Sequence, residues 1–302
     1  MVQLGRASTG ILLVLVSAVS FGFMPIFARL AYAEGVGVDE LLFLRFLLSF
    51  IIVGVILAVS RRLRLPKSRA DLLMLIVLGA IVYFVQSTLY FNSLLYSPVP
   101  IVALLLYTYP VFVTIGAFML GWEKISKLLA GAFIIAIFGL LLVTNPFGNP
   151  LGIGVILALG SSIVYTIYIL SGSQVLRRIN GDLAAFYVMG AGSVSFGLAG
   201  EVTKSVHLDW SMMGWFWLVM IIVVCTVIAI TTFFMGLSKI GPSKAALISL
   251  VEPVTSIFAS LAIFGNSLTA LQWLGGLLIL VATAITISYG YPASRTEAAT
   301  LT

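Results

Sequence analysis

A single acidic residue, Glu252, stands within an apolar run from about residue 243 to 265. A charge at the centre of a lipid bilayer costs about 2.5 kcal/mol or more unless it is paired, hydrated or protonated. At helical spacing, small and polar residues share its face: Ala245, Ser249, Ser256 and Ser260. We expect this face to line a cavity in which Glu252 binds a substrate amine or a proton. The alternative is a protonated carboxyl group hydrogen-bonded to a neighbouring helix.

Tyrosines and small polar residues recur at helical spacing in three other apolar runs. The candidates are Tyr83, Gln86, Ser87 and Tyr90, then Tyr107 and Tyr109, then Ser161, Ser162, Tyr165 and Tyr168. Amphipathic rings around a cavity suit an organic substrate with an apolar body. The substrate-binding set that we predict is Glu252, Tyr83, Gln86, Ser87, Tyr90, Tyr107, Ser161, Tyr165, Ser249 and Ser256. The alternative for the tyrosines is ordinary packing between helices.

Two prolines and one arginine complete the candidates. Pro110 and Pro253 lie within apolar runs, where a proline frees a carbonyl one turn earlier and bends the helix. Arg45 lies near the start of the apolar run over residues 41–60, at the end of that run that is expected to face outward. It either extends to the membrane surface or pairs with Asp39 or Glu40, or it gates the cavity and meets a substrate carboxylate.

Motifs for metal, nucleotide and covalent chemistry are missing from the sequence. His207 has no second His or Cys nearby at ligand spacing, so we expect no metal site. The sequence has no phosphate-binding loop, no His-Glu-x-x-His and no Gly-x-Ser-x-Gly. We therefore expect no cofactor, no ATP-driven transport by this chain alone and no enzymatic activity.

The composition dictates the elements that must position these residues. Of 302 residues, 61% are hydrophobic and 9% charged, against roughly 45–50% and 25% in ordinary soluble domains. A soluble fold is therefore excluded. A membrane-spanning helix needs about 20 apolar residues. The sequence predicts an all-α polytopic membrane protein with ten spans, near residues 9–33, 41–60, 71–96, 99–121, 128–144, 151–171, 183–203, 212–236, 243–265 and 270–290.

The basic residues predict the orientation, because positively charged flanks stay in the cytoplasm. With both termini cytoplasmic, 13 of the 16 Lys and Arg residues lie on the inner side. These are Arg6, Arg61, Arg62, Arg64, Lys67, Arg69, Lys124, Lys127, Arg177, Arg178, Lys239, Lys244 and Arg295. Their position beside apolar runs argues against nucleic-acid binding and for contact with the lipid bilayer.

The two halves of the chain match at an offset of 143 residues. Asp39 aligns with Asp182 and Pro110 with Pro253. Five spans per copy is an odd number, so the second copy must enter the membrane from the opposite face, as in secondary transporters built from inverted repeats. We predict a first repeat over residues 1–147, an inverted second repeat over 148–292 and a cytoplasmic tail over 293–302, with the substrate site where the repeats meet.

Two stretches carry a family resemblance. They are YFNSLLYSPVPIVALLLYTYPVFVTIGAFMLGWEKIS, and FFMGLSKIGPSKAALISLVEPVTSIFASLAIFGNSLT followed by QWLGGLLILVATAI. Each has an Ala-bearing helix start, a mid-helix proline, a polar turn (Glu123 or Asn266) and a Gly-bearing helix (Gly131 or Gly275). The chain resembles the EamA-type repeat of the drug/metabolite transporter superfamily, although Asn266 departs from the acidic residue usual there.

The resemblance implies ten helices around a central cavity and export of metabolites, most closely as in exporters of amino acids, including aromatic ones. We therefore expect a secondary transporter in the cytoplasmic membrane that moves small organic molecules by alternating access. The alternatives are an intramembrane enzyme, a channel, or a carrier for drugs or sugar phosphates. The helices that carry Gly131 and Gly275 have small residues that allow close approach, so we expect them to pack against each other as the last helices of the two repeats or to form a dimer face. We therefore expect a monomer or a homodimer.

Overall fold

A computed structural model describes residues 2–66, 68–120, 127–144, 152–175, 178–203, 209–240, 248–249, 251–265 and 267–290. Predicted features at Lys67, Glu123, Lys124, Arg177, Lys204, His207, Lys244, Ala245, Asn266 and Arg295 lie outside these residues. So do the boundary between residues 147 and 148, the tail over 293–302 and the side chain of Pro110.

The described residues fold into helices joined by short connections. The α-helices are α1 Val2–Gly22, α2 Met24–Ala33, α3 Val38–Val59, α4 Arg69–Val77, α5 Phe84–Tyr96, α6 Val99–Leu106, α7 Tyr109–Met119, α8 Lys127–Thr144, α9 Ile153–Val175, α10 Gly181–Thr203, α11 Met212–Ile222, α12 Ala229–Ile240, α13 Val251–Phe264 and α14 Ala270–Gly290. Two π-helical turns, Leu78–Tyr83 and Val223–Ile228, join α4 to α5 and α11 to α12. A bilayer offers no hydrogen bonds to the backbone, so these apolar segments satisfy their own as helices.

We group the helices of the described residues along the ten predicted apolar runs and number these groups as spans 1 to 10. Along the chain, span 1 is α1 with α2, span 2 is α3, span 3 is α4 with α5, span 4 is α6 with α7 and span 5 is α8. Span 6 is α9, span 7 is α10, span 8 is α11 with α12, span 9 is α13 and span 10 is α14. Six spans are long and apolar enough to cross a membrane, and shorter apolar helices lie in spans 4, 5, 9 and 10. The predicted all-α polytopic membrane architecture is confirmed.

Several spans are interrupted near their middle. Span 1 breaks at Phe23, where Pro25 follows at the start of α2. Span 4 breaks at Tyr107 and Thr108, directly before Pro110. Pro253 lies buried in the first turn of α13. Pro25 was not among the predicted bending residues, although its missing N–H has the same effect on the helix.

The 143-residue repeat is visible in local structure. Ser68 and Ser211, which are 143 residues apart, cap the starts of spans 3 and 8. Each serine side chain accepts a hydrogen bond from the backbone N–H three residues later. The π-helical turns follow both caps. Between spans, Ser17 Oγ donates to the Ala229 carbonyl (2.8 Å) and Ser161 Oγ donates to the Gln86 carbonyl (3.2 Å). Span 1 therefore meets span 8 as span 6 meets span 3, the relation expected of pseudo-symmetric repeats.

The last span of each repeat packs against the other. A Cβ atom built on Gly139 in span 5 would lie 2.7 Å from the Gly275 carbonyl oxygen and 3.0 Å from Ile279 Cγ1 in span 10. The predicted small-residue helices thus make their close contact within the chain. Gly131, two turns earlier on span 5, has no atom within 4 Å of such a Cβ.

We expect Gly139→Ala to destabilise the protein by about 1–3 kcal/mol, because the added methyl group would overlap a helix backbone that cannot move locally. The measurement is the thermal unfolding temperature in detergent. Gly131→Ala is the matched control on the same helix and should leave that temperature unchanged or raise it. Equal unfolding temperatures for the two variants would show that spans 5 and 10 do not pack through Gly139.

Candidate functional site

Glu252 lies in the first turn of α13 and is half-buried. Ser249, Ser256 and Ser260 on the same face are buried in the protein interior. Ser256 Oγ donates to the Gly22 carbonyl (2.7 Å), at the end of α1 where span 1 breaks. The polar stripe of span 9 therefore faces the interrupted middle of span 1, and the carboxyl group of Glu252 stands at this level.

Tyr107 brings span 4 to the same place. Its hydroxyl donates to the Ser249 carbonyl (3.3 Å) and lies near the carboxyl group of Glu252. Tyr107 occupies the position at which α6 ends, so the break in span 4 places its ring. Tyr107 therefore joins span 4 to the start of span 9 beside Glu252. The binding role of Glu252 stays a prediction.

Five tyrosines form a continuous set of ring contacts that we call the tyrosine wall: Tyr83, Tyr107, Tyr109, Tyr165 and Tyr168. Ring centroids are 4.9 Å apart for Tyr83 and Tyr168, 5.9 Å for Tyr168 and Tyr165, 4.8 Å for Tyr165 and Tyr109, and 5.7 Å for Tyr109 and Tyr107. The wall runs across spans 3, 6 and 4 and ends at Glu252. Tyr109 and Tyr168 were outside the predicted binding set, although their spacing from Tyr107 and Tyr165 was a signal for them.

Gln86, Ser87 and Ser161 form one buried hydrogen-bonded group. Gln86 Nε2 donates to Ser161 Oγ (3.0 Å), and Ser87 Oγ donates to Gln86 Oε1 (3.3 Å). Ser161 Oγ also donates to the Gln86 carbonyl. In this conformation these three predicted residues bind one another and join spans 3 and 6.

Tyr90 is buried and lies near both Arg45 and Glu252. Its side chain is 4% exposed and is close enough to both Glu252 and Arg45 to interact electrostatically with each. Its ring also packs edge-on against Phe91 at 5.4 Å.

The structure corrects one interpretation of Arg45. Its side chain is 1% exposed, so it does not extend to the membrane surface. Among the described residues it has no ion pair with a carboxylate, Asp39 and Glu40 included. Instead Arg45 Nε donates to Thr226 Oγ1 (2.9 Å) in the second π-helical turn, and the guanidinium lies 5.4 Å from the ring centroids of Phe46 and Phe91. Span 2 begins at Val38, two turns earlier, which places Arg45 within the bundle.

Several residues of the predicted site are buried in this conformation. Two recesses lie at the periphery of the site. One, of about 380 Å³, is lined by Arg29, Leu30, Tyr32, Ala33, Leu94, Leu95 and Phe264. The other, of about 90 Å³, is lined by residues of spans 4, 9 and 10, Leu104 and Ile257 among them. Tyr90, Ser161 and Ser249 are each no more than 9% exposed, so a substrate reaches them only when spans separate.

Comparison with known proteins decides the class to which this arrangement belongs. The sequence model of the EamA-like transporter family matches residues 8–145 and again 152–288. The chain belongs to the EamA-like transporter family. It is 28% identical over 287 residues to the uncharacterized transporter YcbK of Bacillus subtilis (strain 168), covering 90% of this chain and 91% of that protein. It is 27% identical over 278 residues to an uncharacterized transporter of Archaeoglobus fulgidus, covering 90% and 94%.

A crystal structure with 17% sequence identity superposes with a TM-score of 0.64 over 92% of this chain and 96% of the other. That likeness shows a shared fold. The family match, and not that likeness, makes this chain a multi-pass membrane transporter rather than an enzyme. The resemblance to the EamA repeat is confirmed.

We expect Tyr107→Phe to lower the stability of the protein by about 1–3 kcal/mol, because the Ser249 carbonyl loses a buried donor. Thermal unfolding in detergent measures the change. Tyr96→Phe is the control, since Tyr96 is 62% exposed, and it should unfold as the parent does. An unchanged unfolding temperature for Tyr107→Phe would show that the hydroxyl does not join spans 4 and 9.

Proposed function

We propose that this chain exports amino acids, including aromatic ones, or related amines across the cytoplasmic membrane by alternating access. The observation that carries the proposal is the Glu252 carboxyl, which stands inside the membrane domain at the end of the tyrosine wall. A carboxylate at membrane depth binds an ammonium group or a proton at little further cost, because either one compensates its charge.

The tyrosine wall suits the remainder of such a substrate. Aromatic faces attract cations and stack with aromatic rings, and centroid separations of 4.5–7 Å are the favourable range. The wall already holds its members at these separations. A sugar phosphate would instead need several cations around its phosphate group. The cation that lies near Tyr90 among the described residues is Arg45.

Two sets of contacts at opposite ends of span 3 support alternating access. Where span 3 ends, Arg29 of span 1 donates to the carbonyls of Leu94 and Ser97. Where span 3 begins, Arg178 pairs with Asp71 at 3.4 Å, and Arg62 pairs with Asp182 at 3.9 Å. Ion pairs with one exposed partner contribute little, about 0–1 kcal/mol each at the surface, so the end near Asp71 opens at low cost.

The charge asymmetry of the sequence supports an orientation in which both termini and the loop after span 2 are cytoplasmic. In a Cys225→Ala background, we expect Leu65→Cys to resist a membrane-impermeant thiol reagent in intact cells, since residue 65 lies in that loop. Ser267→Cys, between spans 9 and 10, should be labelled. Reversed labelling would contradict the orientation, and labelling of both after cell lysis is the control for accessibility.

We expect Glu252→Gln to reduce counterflow of L-phenylalanine in reconstituted vesicles at least about tenfold, because the amide keeps the shape of the side chain and removes its charge. Asp209→Asn is the matched control. It removes the same charge from an exposed residue before span 8 and should transport at the parental rate. Parental transport by Glu252→Gln would overturn the role of Glu252 as the amine or proton site.

A further inference from the structure

Two buried polar atoms have no hydrogen-bond partner among the described residues, and both lie on one face of span 2. They are Arg45 Nη2 and Ser49 Oγ. The residues are spaced i and i+4, which puts their side chains next to each other along the helix. Arg45 is 1% exposed and Ser49 0% exposed, so water from outside the bundle does not satisfy them. Unpaired buried donors are costly and rare in folded proteins.

The surroundings of Arg45 hold its guanidinium group in position without neutralising it. Thr226 Oγ1 accepts a hydrogen bond from Arg45 Nε and donates its own to the Ile221 carbonyl, five residues earlier in span 8. The rings of Phe46 and Phe91 lie on the guanidinium. These contacts orient the planar group and leave Nη2 as a donor without an acceptor, which is the geometry of an anion site.

This group is connected to the proposed amine site. Tyr90 interacts electrostatically with both Arg45 and Glu252, and so does the Cys225 side chain. Phe46, which contacts the guanidinium, also packs edge-on against Tyr83 of the tyrosine wall at 5.3 Å. One positive and one negative side chain therefore flank the same aromatic surface without pairing with each other.

We propose that Arg45 and Ser49 form a carboxylate-binding subsite, so that this transporter selects zwitterionic amino acids over amines that lack a carboxylate. The inference rests on the proposed function, because Glu252 takes the ammonium group of the same substrate. A carboxylate satisfies the free Nη2 donor and the Ser49 hydroxyl at once and compensates the charge of Arg45. A simple amine leaves all three unsatisfied.

Three probes with the same aromatic body separate the two subsites: L-phenylalanine, phenethylamine without the carboxylate, and 3-phenylpropionate without the amine. In vesicles reconstituted with the parent protein, we expect kcat/KM for counterflow of L-phenylalanine to exceed that of each analogue about tenfold or more. Arg45→Gln should lower the phenylalanine-to-phenethylamine ratio about tenfold. Ser49→Ala, a smaller change that retains the arginine, should lower the same ratio by a smaller factor.

The ratio distinguishes binding from a structural role, because a folding defect reduces transport of all three probes alike. Ser193→Ala is the control, since it removes a buried hydroxyl of span 7 that donates to the Gly190 carbonyl of its own helix, and it should preserve the ratio. Equal transport of phenylalanine and phenethylamine by the parent, or an unchanged ratio in both span 2 variants, would overturn the carboxylate subsite and leave the proposed function standing. Transport of 3-phenylpropionate as fast as phenylalanine, with no effect of Glu252→Gln, would instead overturn the proposed function.

Discussion

The bilayer provides no hydrogen bonds, and every polar group within it must find a partner inside the protein. This constraint makes the backbone helical throughout the described spans and directs polar side chains towards the interior. Ser17, Ser161 and Ser256 each donate to a backbone carbonyl of another span. Such bonds fix how neighbouring spans are rotated about their axes. The same constraint makes Glu252 and the free donors of Arg45 and Ser49 informative, since each remains in the interior at an energetic cost.

The interruptions of the helices lie where these polar groups collect. Span 1 breaks at Phe23 and exposes the Gly22 carbonyl to Ser256, and span 4 breaks at Tyr107 beside Ser249 and Glu252. The π-helical turn of span 8 carries Thr226 to Arg45. Broken helices are a regular feature of transporter binding sites, because they free backbone groups and side chains for a ligand at mid-membrane depth. Here they bring spans 1, 2, 4, 8 and 9 to one region.

The scaffold is pseudo-symmetric, whereas the charged residues of the proposed site differ between the two repeats. The N-cap serines and the π-helical turns recur in both repeats. The charged residues do not: at the offset of 143, Glu252 corresponds to Tyr109 and Arg45 to Val188. One repeat thus contributes the carboxyl group and the other the guanidinium, both near Tyr90. A substrate with two opposite charges therefore has a single orientation in the proposed site, which a fully symmetric pair of repeats would not impose.

The sequence by itself determined the membrane class, the ten spans, the repeat and the polar face of span 9, since these depend on hydropathy and on the 3.6-residue period of a helix. Glu252 was identified this way because a lone carboxyl in an apolar run has few alternatives. Only the tertiary structure decided which side chains contact one another. The burial of Arg45 against Thr226, the joining of Gln86 to Ser161, and the inclusion of Tyr109 and Tyr168 in the tyrosine wall depend on how spans are rotated and shifted against one another. Side-chain packing between spans sets that rotation, and the hydropathy of a single span does not contain it.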